Sequence, residues 1–550
     1  NPYSTMGVHN AGVVSLMDYQ GSFSVRNTHF KRIYTNPQMD KEVYETYLSY
    51  IAPGVLYIPT RISQLTIDSC VFEKNMGGHA AVYFQSEYFN LDGLTYGVSI
   101  TNTQFIQNHG SSSIVFVDVS NSEIQNITID GGKFYRSIIS ANYQAQYASQ
   151  WSASLVIRGV AARKQSFQIT GVTFEENYGS GLASALLIAG GDEGNIVSKC
   201  KFIKNGNMHY KRYAYSLFAD LITDKKLWPK SSGMVESTFR ISGIKGLIVK
   251  ECEFVRNWVS RKESSVATVS IKEIENNFEM SDCTFRDHIG EKELNNLDEF
   301  DGFNPEDIQI PGGFIEDFNF IEPVGELNGR NLLLSFVSTN FSPRAMLKDN
   351  TFENNHFYST NDEAQLLFQG SRGTGSILFQ SNTIKNSYTY GDGGEILHIS
   401  SFYGMALVDN TFTHVAPAPA PSSAPGDINA LTSLPYVVLL SGSKDGLNYD
   451  LEVQRNSFTG YTVSGAVLSF DKLTVPKLVR SLTLTQCNSP NALIYLPDSS
   501  YPCLFDGLIA NQCSGSIIEN TFPTNELSAI TVVNSIIANS SFGSNHNFIE

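Results

Sequence analysis

Long apolar runs are missing from this chain. The longest, Leu332-Leu333-Leu334 and Tyr436 to Leu440, fall far short of the roughly 20 residues that a membrane-crossing helix needs, so direct membrane insertion is not expected of this segment. Basic charge is scarce too. With 38 Lys and Arg against 54 Asp and Glu, the net charge of −16 argues against nucleic acid or an anionic membrane surface as a partner. The seven cysteines and ten histidines form no Cys-x-x-Cys and no His-x-x-x-His, and no Gly-x-Ser-x-Gly elbow occurs, so the common zinc, redox and serine-nucleophile frameworks are absent. The chain starts at Asn1 and opens on no signal peptide, so it reads as a processed or truncated part of a longer precursor.

What is present is a repeat. In LTIDSCVFEKNMGGHAAVYF (65–84), Leu65 and Ile67 lie seven and five residues before Phe72, Cys70 two before it and Asn75 three after it. Apolar residues two apart face the same side of a strand, so these residues enter one core. Asn75 suits a corner, because its short amide tolerates left-handed backbone and hydrogen-bonds locally. In-phase copies centre on Phe30, Phe72, Phe105, Phe134, Phe174, Phe202, Phe254, Phe285, Phe352, Ile384, Phe412 and Phe458. Three degenerate copies are read at Ser489, Gly515 and Ile537. The residue five before the centre is apolar in all twelve regular copies, from Val25 and Ile67 to Leu407 and Val453. The residue two before is usually small or polar, as Thr28, Cys70, Thr103, Cys200, Cys252, Cys283, Asn350, Asn382, Asn410 and Asn456 are. Three after stands an Asn column: Asn75, Asn108, Asn177, Asn205, Asn257 and Asn355.

A base period of about 22–33 residues with occasional excess fits a solenoid with loops of variable length. Aromatic and β-branched residues fill the core columns and no helical pattern recurs within the unit, which points to an all-strand coil. Stacked in register, the Phe column forms an aromatic ladder and the Asn column a ladder of corner amides. The fold expected is all-β: a single-stranded parallel β-helix of about 15 coils with loop insertions.

The segments CVFEKNMGGHAAVYF (70–84), VTFEENYGSGLASALL (172–187) and NTIKNSYTYGDGGEILHI (382–399) resemble the repeats of right-handed parallel β-helix proteins of the pectin-lyase-like superfamily. Within it they are most similar to non-enzymatic surface proteins of protists and of the bacterial polymorphic outer-membrane type. The resemblance, over about residues 20–545, implies the fold and its right hand. It leaves function open, because that superfamily holds lyases, hydrolases, tailspikes, adhesins and filaments.

Residues 1–20 read as a cap or incomplete first coil, since a terminal coil must cover its strand edges. Residues 21–550 read as one continuous β-helix with irregular final coils (480–550). Insertions fall near 38–60, 138–155, 207–235, 287–330 and 415–430. The first carries a helical spacing at Tyr44, Leu48 and Ile51. The third alternates Lys211 and Arg212 with Tyr210, Tyr213 and Tyr215. The fourth, from Glu291 to Glu326, holds eleven acidic residues against one Lys; it reads as a solvated acidic flap, and its oxygens are the weak case for calcium in a chain otherwise expected to need no cofactor. The last is APAPAPSSAP (416–425), an extended excursion that cannot join a sheet.

Cys70, Cys200, Cys252, Cys283 and Cys487 are read in the column two before the centre. Two accounts stay open: a ladder of small buried thiols, or disulfides between neighbouring coils, with Cys252 and Cys283, and Cys487 and Cys513, as the stacked pairs. The sequons at Asn126, Asn340 and Asn539 would accept N-glycans in a secreted chain.

For chemistry, the Asn-Thr-Asp, Asp-Asp, Gly-His-Gly and Arg-Ile-Lys motifs of polygalacturonase-like enzymes are absent. Arg158 and Arg163 lack the clustered Asp that a calcium-dependent lyase requires, although adjacent coils can supply partners. A lone His398 in EILHIS reads as a satisfied strand residue. The leading reading is therefore a non-catalytic extracellular scaffold in a cell-surface or filamentous glycoprotein assembly, such as a ciliary or flagellar appendage. Its partners would be other proteins or copies of itself, with glycans at the surface. The alternative is a polysaccharide lyase or hydrolase, or a carbohydrate-binding protein, that uses the exposed face of the coils. Two carboxylates converging in a groove about 5–9.5 Å apart would favour the alternative.

Overall fold

The computed structural model describes residues 13–16, 20–33, 54–86, 97–122, 124–140, 151–207, 237–257, 259, 266–288, 331–359, 364–370, 375–391, 394–415, 434–442, 450–497, 501–521 and 529–541. The helical spacing at 44–51, the aromatic-basic stretch 208–218, the acidic segment 291–326 and the Pro-rich 416–425 lie outside these residues. Two insertions are narrower than expected, because the strands Leu56–Asp68 and Ala153–Arg158 begin inside them.

The chain divides into two compact units. The first comprises Asn1–Ile244, Asn257–Ser260 and Glu293–Glu326, the second Lys245–Arg256, Arg261–Lys292 and Leu327–Glu550. Each is a stack of β-coils. In the first, the three-residue strands His29–Lys31, Val71–Glu73, Gln104–Ile106, Lys133–Tyr135, Thr173–Glu175 and Lys201–Ile203 pair in sequence, parallel and in register. In the second the same column runs from Glu253–Val255 through Thr284–Arg286, Thr351–Glu353, Thr383–Lys385, Thr411–Thr413, Ser457–Thr459, Thr483–Thr485 and Ile509–Asn511 to Ile536–Ala538. Longer strands form the other walls; Gly97–Thr101, for example, pairs with Leu56–Asp68 on one side and Asn126–Asp130 on the other. The fold is a parallel β-helix.

Register puts like on like. In the first unit Phe30, Phe72, Phe105, Phe134, Phe174 and Phe202 stack with centroids 4.5–5.2 Å apart. In the second Phe254, Phe285 and Phe352 do the same at 4.6 and 4.8 Å, Ile384 follows in register, and Phe412 lies on Phe458 at 4.6 Å. Offset stacking adds about 0.5–1.5 kcal/mol per pair beyond burial.

Corners are set by the backbone. The residue three before each core residue has a left-handed φ of 48–77°, from Asn27, Ser69 and Asn102 to Ser481, Gly507 and Asn534. The residue two after has one as well at every core residue but Phe412, as at Arg32, Lys74, Gln107, Gln486 and Gln512. This corrects the reading of the Asn column: Asn75 itself is not left-handed, Lys74 is. The asparagine works through its side chain, since Asn75, Asn108 and Asn177 each donate Nδ2–H to the carbonyl of a core Phe on the coil before. Left-handed backbone costs a side-chain-bearing residue about 1 kcal/mol, a cost Gly does not carry. The exposed Ser481 has φ 52°, so Ser481→Gly is expected to raise stability by about 1 kcal/mol in urea unfolding.

The last coils require a second correction. Phe458 pairs with Leu484, Leu484 with Ala510 and Ala510 with Ile537, so two of the degenerate centres are Leu484 and Ala510 rather than Ser489 and Gly515. Cys487 and Cys513 therefore occupy the corner column three after the core residue. There their thiols reach Phe458 O at 3.5 Å and Leu484 O at 3.6 Å, as the corner amides do elsewhere. All seven cysteines are free and buried, Cys252 and Cys283 included. Burial pushes the Cys283 thiol up, with Cys252 beside it adding to the effect.

Candidate functional site

Two outward faces gather side chains that the mean sequence pattern does not explain. In the first unit, Tyr57, Tyr83 and Phe116 stack at 5.2 and 5.4 Å on successive coils. Beside them Asp118 takes a 2.8 Å hydrogen bond from Arg158, whose guanidinium lies 4.1 Å above the Trp151 ring. The partner for Arg158 thus comes from the preceding coil, through the pairing Asp118↔Arg158. This face is closed, however. Phe116, Val156 and Leu187 are buried beneath Trp151 and Leu182, which makes a second small core.

The second unit carries an open face. Two rows run up it in register: Leu367, His398, Leu439, Ser469, Tyr495 and Glu519, and two residues along the strand Gln369, Ser400, Ser441 and Asp471. Strand alternation sends both rows away from Phe368, Ile399, Leu440 and Phe470, which fill the core between them, although Ser469 is itself buried. His398, Ser400, Ser441, Asp471, Tyr436 and Tyr495 are half-buried. His398 Nε2 and Ser441 Oγ are 2.9 Å apart across adjacent coils. Burial lowers the His398 pKa to about 4, against a smaller upward pull from Asp471. Burial also raises the Tyr436 phenol, and Tyr495, Glu395 and Asp471 push it further the same way. Two carboxylates from different coils, the buried Glu395 and the half-buried Asp471, therefore act on one phenol. His398, read above as an isolated strand residue, belongs to this cluster.

The other residues singled out from sequence sit elsewhere. Asn126, Asn340 and Asn539 are all exposed; Asn340 N–H donates to Glu273 at 3.2 Å, and Asn539, left-handed, donates to Asn511 at 3.2 Å. The corner ladder is continuous where its rungs are adjacent, with Asn177 Nδ2 donating to Asn205 and Asn205 to Asn257 at 2.9 and 3.0 Å. Asn355 donates to Phe285 O at 3.1 Å. A second ladder, whose residues had been read only as small or polar, joins Asn350, Asn382, Asn410 and Asn456 through amide pairs of 3.0–3.1 Å. Among the described residues no group of three or more His, Cys, Asp or Glu is placed to hold a metal, and no helix is long and apolar enough to cross a membrane.

Fold and face together define a parallel β-helix with a polar, tyrosine-bearing lateral face. No family model and no curated protein matches the chain. Among solved structures it is similar to the catalytic unit of a thermostable GH87 alpha-1,3-glucanase from Streptomyces thermodiastaticus strain HF3-3, at 12% identity and a TM-score of 0.37. The match covers 82% of this chain and spans 64% of that one. The matched structure is a catalytic unit, and the leading sequence reading of a non-catalytic chain is withdrawn.

Proposed function

We propose that the protein is an extracellular, carbohydrate-active β-helix that takes a polysaccharide along the open face of the second unit. The observation that carries this reading is the run of hydrogen-bonding side chains, His398, Ser400, Ser441, Asp471 and Glu519, joined by Tyr495, at coil spacing on one half-exposed face. Successive rungs about 4.8 Å apart suit a ligand that is itself a polymer. Tyrosine rings offer flat surfaces for the C–H faces of sugars, while Asp471, Glu519 and Ser441 offer acceptors for sugar hydroxyls. The exposed sequon asparagines, Asn126, Asn340 and Asn539, support an extracellular chain.

The test is affinity electrophoresis of the whole chain through gels containing soluble α-glucans, β-glucans, xylan or polygalacturonate. At least one should retard it. Tyr495→Ala and Asp471→Asn should each weaken that binding about tenfold, which corresponds to about 1.4 kcal/mol, with unchanged thermal melts. Equal retardation of variants and parent, or none in any gel, would sink the reading.

A further inference from the structure

We propose that Ser441 and His398 form a nucleophile and general-base pair that hydrolyses acyl esters carried on the polysaccharide. Their contact is already of the kind such a pair needs: a half-exposed hydroxyl 2.9 Å from an imidazole nitrogen on the next coil. Both side chains project from rigid strands locked in register on each side, Leu366–Gln369 and Leu434–Ser441 flanking Leu397–Ser400. Asp471 stands directly across from Ser441 on the following coil, and its charge favours an imidazolium at His398. Above and below His398 in its own row lie only Leu367 and Leu439. The imidazole is therefore unprotonated at neutral pH and open to accept a proton.

The step balances. Ser441 Oγ bonds to the ester carbonyl carbon as its proton passes to His398 Nε2. The tetrahedral intermediate then expels the sugar oxygen, which leaves as an alcohol with that proton. Water, activated by His398, attacks the acyl-serine and releases a carboxylic acid, restoring both groups. Tyr436, whose phenol burial pushes up, and Tyr495 offer O–H donors on this face for the developing oxyanion. The proposal takes its natural substrate from the polysaccharide reading, but its chemistry can be tested apart from it.

Treat the whole chain with a biotinylated fluorophosphonate and map the adduct by mass spectrometry. The expected result is labelling at Ser441 that falls at least tenfold in His398→Ala. Hydrolysis of p-nitrophenyl acetate should be lost in Ser441→Ala and Ser441→Gly, both with parental melting curves, and its acid limb should lie near pH 4 rather than near 6.5. Acetate release from O-acetylated xylan should follow the same pattern. No adduct at Ser441, or full hydrolysis by Ser441→Ala, overturns the proposal, even if the gels show polysaccharide binding. Labelling and p-nitrophenyl acetate turnover without retardation in any gel would leave the pair standing and remove the polysaccharide reading instead.

Discussion

Replacing Asn410 by Ala is expected to destabilise the second unit by about 4 kcal/mol, more than most single substitutions. Asn410 is fully buried and its amide is used on both sides. Its Oδ1 accepts from the backbone N–H of Asn382 at 2.9 Å and from Asn382 Nδ2 at 3.1 Å. Its Nδ2 donates to Phe379 O at 2.8 Å and to Asn456 Oδ1 at 3.0 Å. Alanine removes all four bonds. Two of the partners keep other bonds: Asn382 Nδ2 still reaches Leu347 O, and Asn456 Oδ1 still accepts from the Asn410 backbone. The Asn382 N–H loses its acceptor, while the Phe379 carbonyl loses one donor and keeps its place in the strand ladder beside Leu407. Orphaning one buried polar group costs about 1–3 kcal/mol and each of the other lost bonds about 0.5–1.5 kcal/mol, which together give the expected value. Asp at the same place should be worse, because an acceptor would then face Asn456 Oδ1. Urea unfolding followed by tryptophan-independent far-ultraviolet dichroism measures this; a loss under 1 kcal/mol would mean that the amide ladder is decoration.

That ladder also shows what the linear sequence can and cannot carry. The aromatic column was legible because a Phe repeated in phase has a single chemical identity, and because its partner five residues before is always apolar. The left-handed corners were not, because Asn27, Lys199, Glu251, Asp349 and Arg455 share only a backbone angle. The phase was lost after Phe458 for a related reason. The core residue shrinks to Leu484 and then Ala510, while cysteine replaces asparagine at the corner, so Cys487 resembled the column five positions away. The candidate site was hidden by loop length. Ser400, Ser441 and Asp471 are vertical neighbours, yet they stand 12, 17 and 13 residues ahead of Phe412, Phe458 and Leu484. No fixed spacing could align them, and only the strand register places His398 beside Ser441.

Acidification from pH 7 to pH 4 is expected to destabilise the first unit by about 6 kcal/mol, about 3 kcal/mol from each of two buried histidines. His79 and His109 are buried, and desolvation alone lowers their pKa values to about 3 and about 4. His79 is wedged between the rings of Tyr83 and Phe116, 4.9 and 4.8 Å away, with Nδ1 held 2.7 Å from Ser113 Oγ. His109 sits at the start of the neighbouring strand His109–Asp118. A charged imidazole at either place would be stripped of its water, and that desolvation is the cause of both shifts. The folded chain therefore binds fewer protons than the unfolded chain below pH 6.5, and stability rises with pH across that interval. The stabilisation is complete above the unfolded value of 6.5 and drains away as pH falls toward the folded values near 4 and 3. At 1.36 kcal/mol per pH unit, each histidine removes about 3 kcal/mol by pH 4. His79→Phe keeps the ring among its aromatic neighbours and removes the titrating group, so the variant should recover about half of this acid-dependent loss although it gives up the bond to Ser113. Urea midpoints at pH 7 and pH 4 decide the matter: parallel pH dependence in parent and His79→Phe would show that this imidazole takes up its proton without opening the coil.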